Sequence, residues 1–382
     1  QYNTVRSMKW HYKVGEERFH NKLDAIEQNI KTKDPIHFIS PVEYNTVDFS
    51  KEPEETLQEM FVNEAKKIRD THHTVRLYYS GGSDSELVLR TFVDNKIHID
   101  EIVCWKSGIP VADFEIDQYA IPNLRSLDLP GTKITINEST TQDYIDYYKK
   151  GITPEKIRSG ACNFNTHIRL IQQIELFKEQ NYKEGIANVR GFDKPKIIKR
   201  NGKWYTYFID VDIEPAHHTY SFFSDTPHLQ CKQAHLFMKQ MESVVVKADK
   251  EAEDNAIVKK ETDMWDYQTI WNTSTGRSST LDLPMKKMSF GKGDNFVSYK
   301  GKKIYYMNQK EKLALDHLLE INPDIVVAWY ENIEQLKDLT NNEWWNENTP
   351  ELGSVGIFSN FYCLQENTIK TVDELYPNGF EA

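Results

Sequence analysis

Cysteine is scarce and scattered. The four residues, Cys104, Cys162, Cys231 and Cys363, form no C-x-x-C pair and no closely spaced set. That excludes a disulfide framework, a paired-cysteine zinc site and dithiol exchange, and points to a reducing, cytoplasmic compartment. Long apolar runs are missing too: nothing approaches the roughly 20 residues that span a bilayer, so no membrane is expected as a partner. Basic excess is also lacking. With a net charge of -11 the surface as a whole repels polyanions, and nucleic acid is not expected as a non-specific ligand. Neither a G-x-x-x-x-G-K-[ST] loop, a G-x-G-x-x-G fingerprint nor a G-x-S-x-G elbow occurs; "GKGDNF" from Gly291 fails the second of these at its last position. There is no internal repeat and no low-complexity tract.

What is present predicts a globular chain. Its 382 residues are 39% hydrophobic and 12% aromatic, enough for a substantial core in one large domain or two to three smaller ones. Leu57, Met60, Phe61, Ala65 and Ile68 recur at helical spacing after Glu54. Runs rich in β formers follow at Val75–Tyr79, Ile99–Trp105, Thr132–Asn137 and "EGIANVRG". They alternate with helical patterns at Asp84–Val93, at "DFEIDQYAIPNLRSL", disturbed by Pro122, and at "NFNTHIRLIQQIELFKEQ". Strands alternating with helices imply a parallel twisted sheet flanked by helices, a Rossmann-like α/β fold. Asn201-Gly202 between two β-rich runs predicts an inserted β-hairpin, and Pro227 opens a further helix with Asp225 or Thr226 as its cap. The expected organisation is an N-terminal extension over 1–53, a nucleotide-binding domain over 54–255 and an α+β accessory region over 256–382. In the first, only "IHFIS" reads as a strand; in the last, a hairpin near Lys300-Gly301 and a helix near Lys310–Leu319 are expected.

The stretch "TVRLYYSGGSDSELVLRTFVD" joins the first strand to the next helix. Ser80, Gly81, Gly82, Ser83 and Ser85 are small, so a ligand can approach the main chain. The helix start adds N–H groups and positive potential, a combination suited to phosphate. The plain alternative is a strand-to-helix turn in which Asp84 caps the helix.

Ser80-Gly81-Gly82-Ser83-Asp84-Ser85 resembles the S-G-G-x-D-S signature of the PP-loop ATP pyrophosphatases, the adenine nucleotide alpha-hydrolase-like superfamily. The strand before it and the helix after it agree with the context of that signature. The similarity spans about Thr74 to Asp212. It implies ATP and Mg2+ as cofactors and cleavage between the α and β phosphates. A substrate oxygen would be adenylated, and a second nucleophile would then displace AMP in a ligation or group transfer. The loop amides and the Ser80, Ser83 and Ser85 hydroxyls would receive phosphate charge, and Asp84 would orient the loop or hold magnesium. "GIANVRGFDKPK", with Arg190, Asp193, Lys194 and Lys196, resembles the segment after the fourth strand in the PAPS reductase-like branch. Arg190 and Lys194 would clamp phosphate or sulfate oxygens there, unless the segment is only a solvated charged turn. The resemblance also sets the adenine and ribose at the end of the second strand, where Trp105 would stack and Lys106 meet phosphate; a core tryptophan and a surface lysine are the plain alternatives.

Against reductase chemistry, no E-C-G-L-H-like cysteine motif is present, and Cys363 stands alone. The aromatic, lysine-rich style is similar to superfamily members of large phages, which implies the host cytoplasm or a virion should the chain be phage-encoded. A non-catalytic nucleotide-binding or virion-associated structural protein is the competing expectation. The partners are a nucleotide and an unknown acceptor substrate, with a homo-oligomer or larger assembly open.

Three other groupings are candidates. Asp210, Asp212 and Glu214 alternate on one strand face and could gather magnesium, or line a wet sheet face; His217 and His218 follow them. His228, Cys231 and His235 share a helix face, but the roughly 10 Å rise across it exceeds what zinc bonds of about 2 Å span, so packing with ordinary hydrogen bonds is expected. Cys162 precedes a helix and could be activated there, or be a small buried residue.

Overall fold

The computed structural model describes residues 10–19, 22–106, 108, 113, 116–140, 142, 185–191, 196–208, 219–251, 320 and 357–377. Its centre is an α/β unit. Strands β4 (Thr74–Tyr78), β5 (Glu101–Lys106), β6 (Lys133–Glu138), β7 (Ile186–Arg190) and β10 (Thr219–Ser221) form a five-stranded sheet in the order β10-β7-β4-β5-β6. Every pairing in it is parallel. The first strand of this sheet therefore lies between the second and the fourth, and the connections run to opposite sides on leaving β4 and β7. The crevice between those two carboxyl ends is where open α/β sheets receive ligands.

Strand alternation divides the sheet's side chains between two faces. On one, Val75, Leu77, Ile102, Cys104, Ala187, Val189 and Tyr220 are buried with the helices. Helices α2 (Leu57–Thr71), α3 (Ser83–Asp94) and α5 (Pro227–Glu251) contribute Phe61, Ala65, Ile68, Leu87, Val88, Phe92, Leu229, Ala234 and Phe237 to that core. Phe61 lies 5.8 Å from Phe222 and 5.6 Å from Phe223, ring centre to ring centre. The other face carries a polar row. Arg76 donates to Glu101 at 2.7 Å, and Lys133 and Thr135 donate to the same carboxylate at 3.1 and 2.6 Å. Burial alone would raise the Glu101 carboxyl, but the bonds from Thr135, Arg76 and Lys133 outweigh it and hold it at about 2.

Helix α2 starts at a capping box: Thr56 accepts the Glu59 amide at 3.2 Å and the Glu59 carboxylate accepts the Thr56 amide at 2.8 Å. At the start of α5, Thr226 rather than Asp225 provides the cap, accepting the Leu229 amide at 3.4 Å. Asp225 instead receives Lys67 of α2 at 2.8 Å. The disturbance at Pro122 takes the form of a π turn (Ile116–Ala120) running into a short helix, α4 (Ile121–Ser126), with the proline near its start where no intrahelical N–H is needed.

Flanking segments close around this unit. At the N-terminal side β1 (His11–Val14), β2 (Glu17–Phe19) and β3 (Ile36–Ile39) form an antiparallel sheet in the order β2-β1-β3, with α1 (Lys22–Thr32) packed on it. Of these only β3 was expected. Strands β8 (Lys196–Arg200) and β9 (Lys203–Tyr207) form the expected hairpin, and Asn201 and Gly202 both take positive φ, 50° and 75°. The hairpin is the seed of a four-stranded sheet, β12-β11-β9-β8, in which β11 (Phe361–Cys363) and β12 (Ile369–Lys370) come from the far end of the chain. A short helix, α6 (Val372–Leu375), follows. Trp10 meets Phe208 edge-on at 4.6 Å, and Ser40 is hydrogen-bonded to Tyr362. Trp10 and Ser40 of the N-terminal segment thus meet Phe208, which adjoins the hairpin, and Tyr362 of β11. The accessory hairpin near Lys300 and the helix near Lys310 lie outside the described residues. Among the described residues no helix is long and apolar enough to cross a membrane.

Candidate functional site

The loop Tyr79–Ser85 leaves β4 at the crevice. Gly81 takes φ 76°, a left-handed conformation, and a Cβ there would sit 2.9 Å from the Ala120 side chain. Glycine is required by both backbone and space. Gly82 is the N-cap of α3, in extended conformation, with no side-chain cap. The loop is wrapped by its own hydroxyls. Ser85 Oγ accepts the Ser80 amide at 3.2 Å and donates to Gly82 O at 3.0 Å, and Ser80 Oγ accepts the Gly82 amide at 3.3 Å. The first helical bond runs from Glu86 N to Gly82 O at 2.9 Å. The helix itself therefore supplies no acceptor for the amides of Ser83, Asp84 and Ser85. The positive end of the helix dipole lies at this start of α3.

Strand β7 closes on this loop from the other side. A Cβ on Gly191 would fall 2.8 Å from the main-chain carbon and oxygen of Asp84 and 2.8 Å from Ser85 Cα, so the residue after Arg190 is pressed against the first turn of α3. Arg190 is itself buried, its guanidinium 5.2 Å from the centre of the Tyr78 ring. The pairing of β7 with β4 thus sets Arg190 and Gly191 beside the glycine loop, at the carboxyl ends of two interior strands. Lys194 and Asp193 lie outside the described residues, and Lys196 opens β8.

Trp105 and Lys106 end β5 on opposite faces. Lys106 pairs with Asp117 at 3.1 Å and Glu138 at 3.5 Å, so its charge is already met by carboxylates. Trp105 shares its face with Tyr78 and Arg190, and its register partner on β6 is Asn137. Trp105 Nε1 and Asn137 Nδ2 are both sealed from solvent without a hydrogen-bond partner. A buried donor without an acceptor costs about 1–3 kcal/mol, which an ordered water or a bound ligand would offset. Sequence reasoning did not single out Asn137. Its only signal is a polar residue near the end of the third strand, which matters once that strand is known to lie beside the second.

Behind the loop lies a second group that sequence reasoning missed. Glu86, 1% exposed, accepts from Tyr79 Oη, from Asn123 Nδ2 at 2.8 Å and from Arg90 Nε at 2.8 Å. Burial, then the Glu86 charge, raises the Tyr79 phenol far above its ordinary value and keeps it a donor. The Glu86–Arg90 spacing of four is legible as a helix pair; its burial is not.

Asp84 sits half-buried in the first turn of α3. No group of three or more His, Cys, Asp or Glu side chains able to hold a metal occurs among the described residues. Burial pushes the Cys104 thiol up to about 12, and burial followed by Glu52 and Asp48 does the same for Cys231. Neither is a thiolate near neutral pH. Cys231 donates to Phe49 O and Lys51 O and His235 bonds Phe49 O at 2.8 Å, in keeping with the packing expected for that helix face. Asp210, Asp212, Glu214, His217, His218 and Cys162 lie outside the described residues. No protein-family model matches the chain, and no curated protein or solved structure matches it.

Proposed function

We propose that the chain is a PP-loop enzyme of the adenine nucleotide alpha-hydrolase type, which binds ATP at the β4–α3 loop and cleaves it between the α and β phosphates. The observation that carries this reading is the start of α3, where Gly82 brings no side-chain cap and Gly191, the residue after Arg190, packs against the first turn. Main-chain amides of Ser83, Asp84 and Ser85 would take the β and γ phosphate oxygens, and Arg190 would bring a planar pair of donors to the α phosphate or the pyrophosphate. A substrate oxygen attacks the α phosphorus, the bond from that phosphorus to the α–β bridging oxygen breaks, and pyrophosphate leaves with the electron pair. The chain's contribution is orientation plus charge stabilisation of the leaving group. Asp84 fits one carboxylate ligand of a magnesium ion that is otherwise held by phosphate oxygens and water; such an ion would offset charge on the phosphates. The heterocyclic base would lie toward Trp105 and Asn137, whose buried N–H groups it would satisfy.

Release of AMP and pyrophosphate from ATP with magnesium, screened over carboxylate and amine acceptors, tests the reading. Arg190→Met should lower turnover by about tenfold to a hundredfold, the scale of a charged hydrogen bond. Production of ADP would overturn α–β cleavage. Tight ATP binding with no turnover over the whole screen would make the protein a nucleotide-binding module, and preferential binding of phosphoadenylylsulfate would move it to the sulfonucleotide branch.

A further inference from the structure

The buried carboxylate behind the loop poses an electrostatic problem. Glu86 is in the first turn of α3, and a negative charge there opposes any polyanion arriving at the helix start. The surroundings deal with that charge specifically. Arg90, one turn later, donates to Glu86 Oε1 at 2.8 Å, and its other contacts are Asn123 Oδ1 at 3.5 Å and Asp94 at 4.0 Å. Glu86 Oε2 is closed by Tyr79 and Asn123, and Asn123 also donates to Tyr79 Oη at 2.7 Å. These residues bracket the loop. Tyr79 precedes it, Glu86 follows it, and Asn123 stands three residues after Ala120, the residue that backs Gly81.

We infer that Glu86 is a positioning residue that ties both ends of the Ser80–Ser85 loop together, and that Arg90 is its counter-charge, cancelling its field so that the helix start stays attractive to a polyphosphate. The inference rests on the phosphate-binding reading above, because it assigns no ligand of its own. It differs from a purely architectural role in the sign of the coupling between the two residues. If the pair only holds the fold, each single change loses binding and the double change loses at least as much. If Arg90 cancels charge, Arg90→Met alone exposes the Glu86 carboxylate and weakens anion binding, and adding Glu86→Gln restores it.

Calorimetric titration of the full chain with inorganic tripolyphosphate, at low and at high salt, decides between them. Arg90→Met is expected to weaken binding by about tenfold, and because Glu86 is buried the deficit should persist at high salt. Arg90→Lys, which keeps the charge, should bind within about threefold of wild type, and Glu86→Gln/Arg90→Met should return to the same range. A double variant no better than the single, or wild-type affinity in Arg90→Met, would each overturn the inference. A thermal melt of each variant identifies one that has failed to fold, and Arg90→Lys then carries the comparison. If wild type binds neither tripolyphosphate nor ATP, the phosphate reading itself fails and takes this inference with it; if wild type binds and Arg90→Met binds equally, only the inference falls.

Discussion

Helices α2 and α3 begin in opposite ways. At α2, Thr56 and Glu59 exchange hydrogen bonds, and the helix start is completed by its own side chains. The short α6 does the same with Thr371 and Glu374. At α3, Gly82 stands where those threonines do and brings no side chain, while Gly81 and Gly191 bring the main chain of two further segments close to the same turn. Each helix start presents the same kind of donors. At α2 and α6 the N-cap side chain accepts a backbone amide of the first turn, whereas at α3 no side chain does so from the N-cap position. The same contrast holds within the sheet. The Arg76–Glu101–Lys133 row satisfies itself, whereas Trp105 and Asn137, further along the same face, keep donors without acceptors.

Three changes would break or sharpen this contrast. The largest effect is expected from Gly191→Ala. Its Cβ meets main-chain atoms of Asp84 and Ser85 at 2.8 Å, so the first turn of α3 has to move. Tripolyphosphate and ATP affinity should fall by roughly two orders of magnitude, with a stability loss of about 1–3 kcal/mol; unchanged affinity by calorimetry would show that the amides of this turn do not hold the ligand. A smaller effect belongs to the self-satisfied row. Glu101 is held at about 2 in the folded chain, below its unfolded value of about 4.3. The stability it contributes is full above the unfolded value and is lost as pH falls through that value toward 2. Denaturant unfolding should therefore weaken across that window, and Glu101→Gln should flatten the slope while leaving phosphate affinity near neutral pH as it was. The smallest effect is expected from Thr56→Ala. Removing the cap of α2 should cost about 1 kcal/mol of stability and leave tripolyphosphate affinity unchanged, since that helix start receives no ligand; a matching loss of affinity would erase the distinction between the two helices.

Some of this molecule was legible along the chain because it is local. Asn201-Gly202 specifies its own turn, and the apolar strand, glycine pair and helical pattern around Ser80 specify a tight strand-to-helix loop. Other parts were not legible because their partners are remote. Strand β10, three residues long, exists by pairing with β7. Strands β11 and β12 have no pattern of their own to set them apart and are defined by the hairpin they join, as in the contact between Lys203 and Glu366. Glu86 read as one more charged helix residue until Tyr79 and Asn123 closed over it.

The sequence by itself determined where the chain has no side chains, at Gly81 and Gly82, and hence where another group can come close to the backbone, as Ala120 does at Gly81; that follows from steric freedom, which is a property of single residues. Only the tertiary structure decided what stands around that opening. The sheet order puts β7 beside β4, brings Arg190 and Gly191 to the loop, sets Asn137 next to Trp105 and spends Lys106 on Asp117 and Glu138. Those are relations of distance and charge between segments far apart in the chain, and they come into being when the apolar faces of strands and helices are buried together.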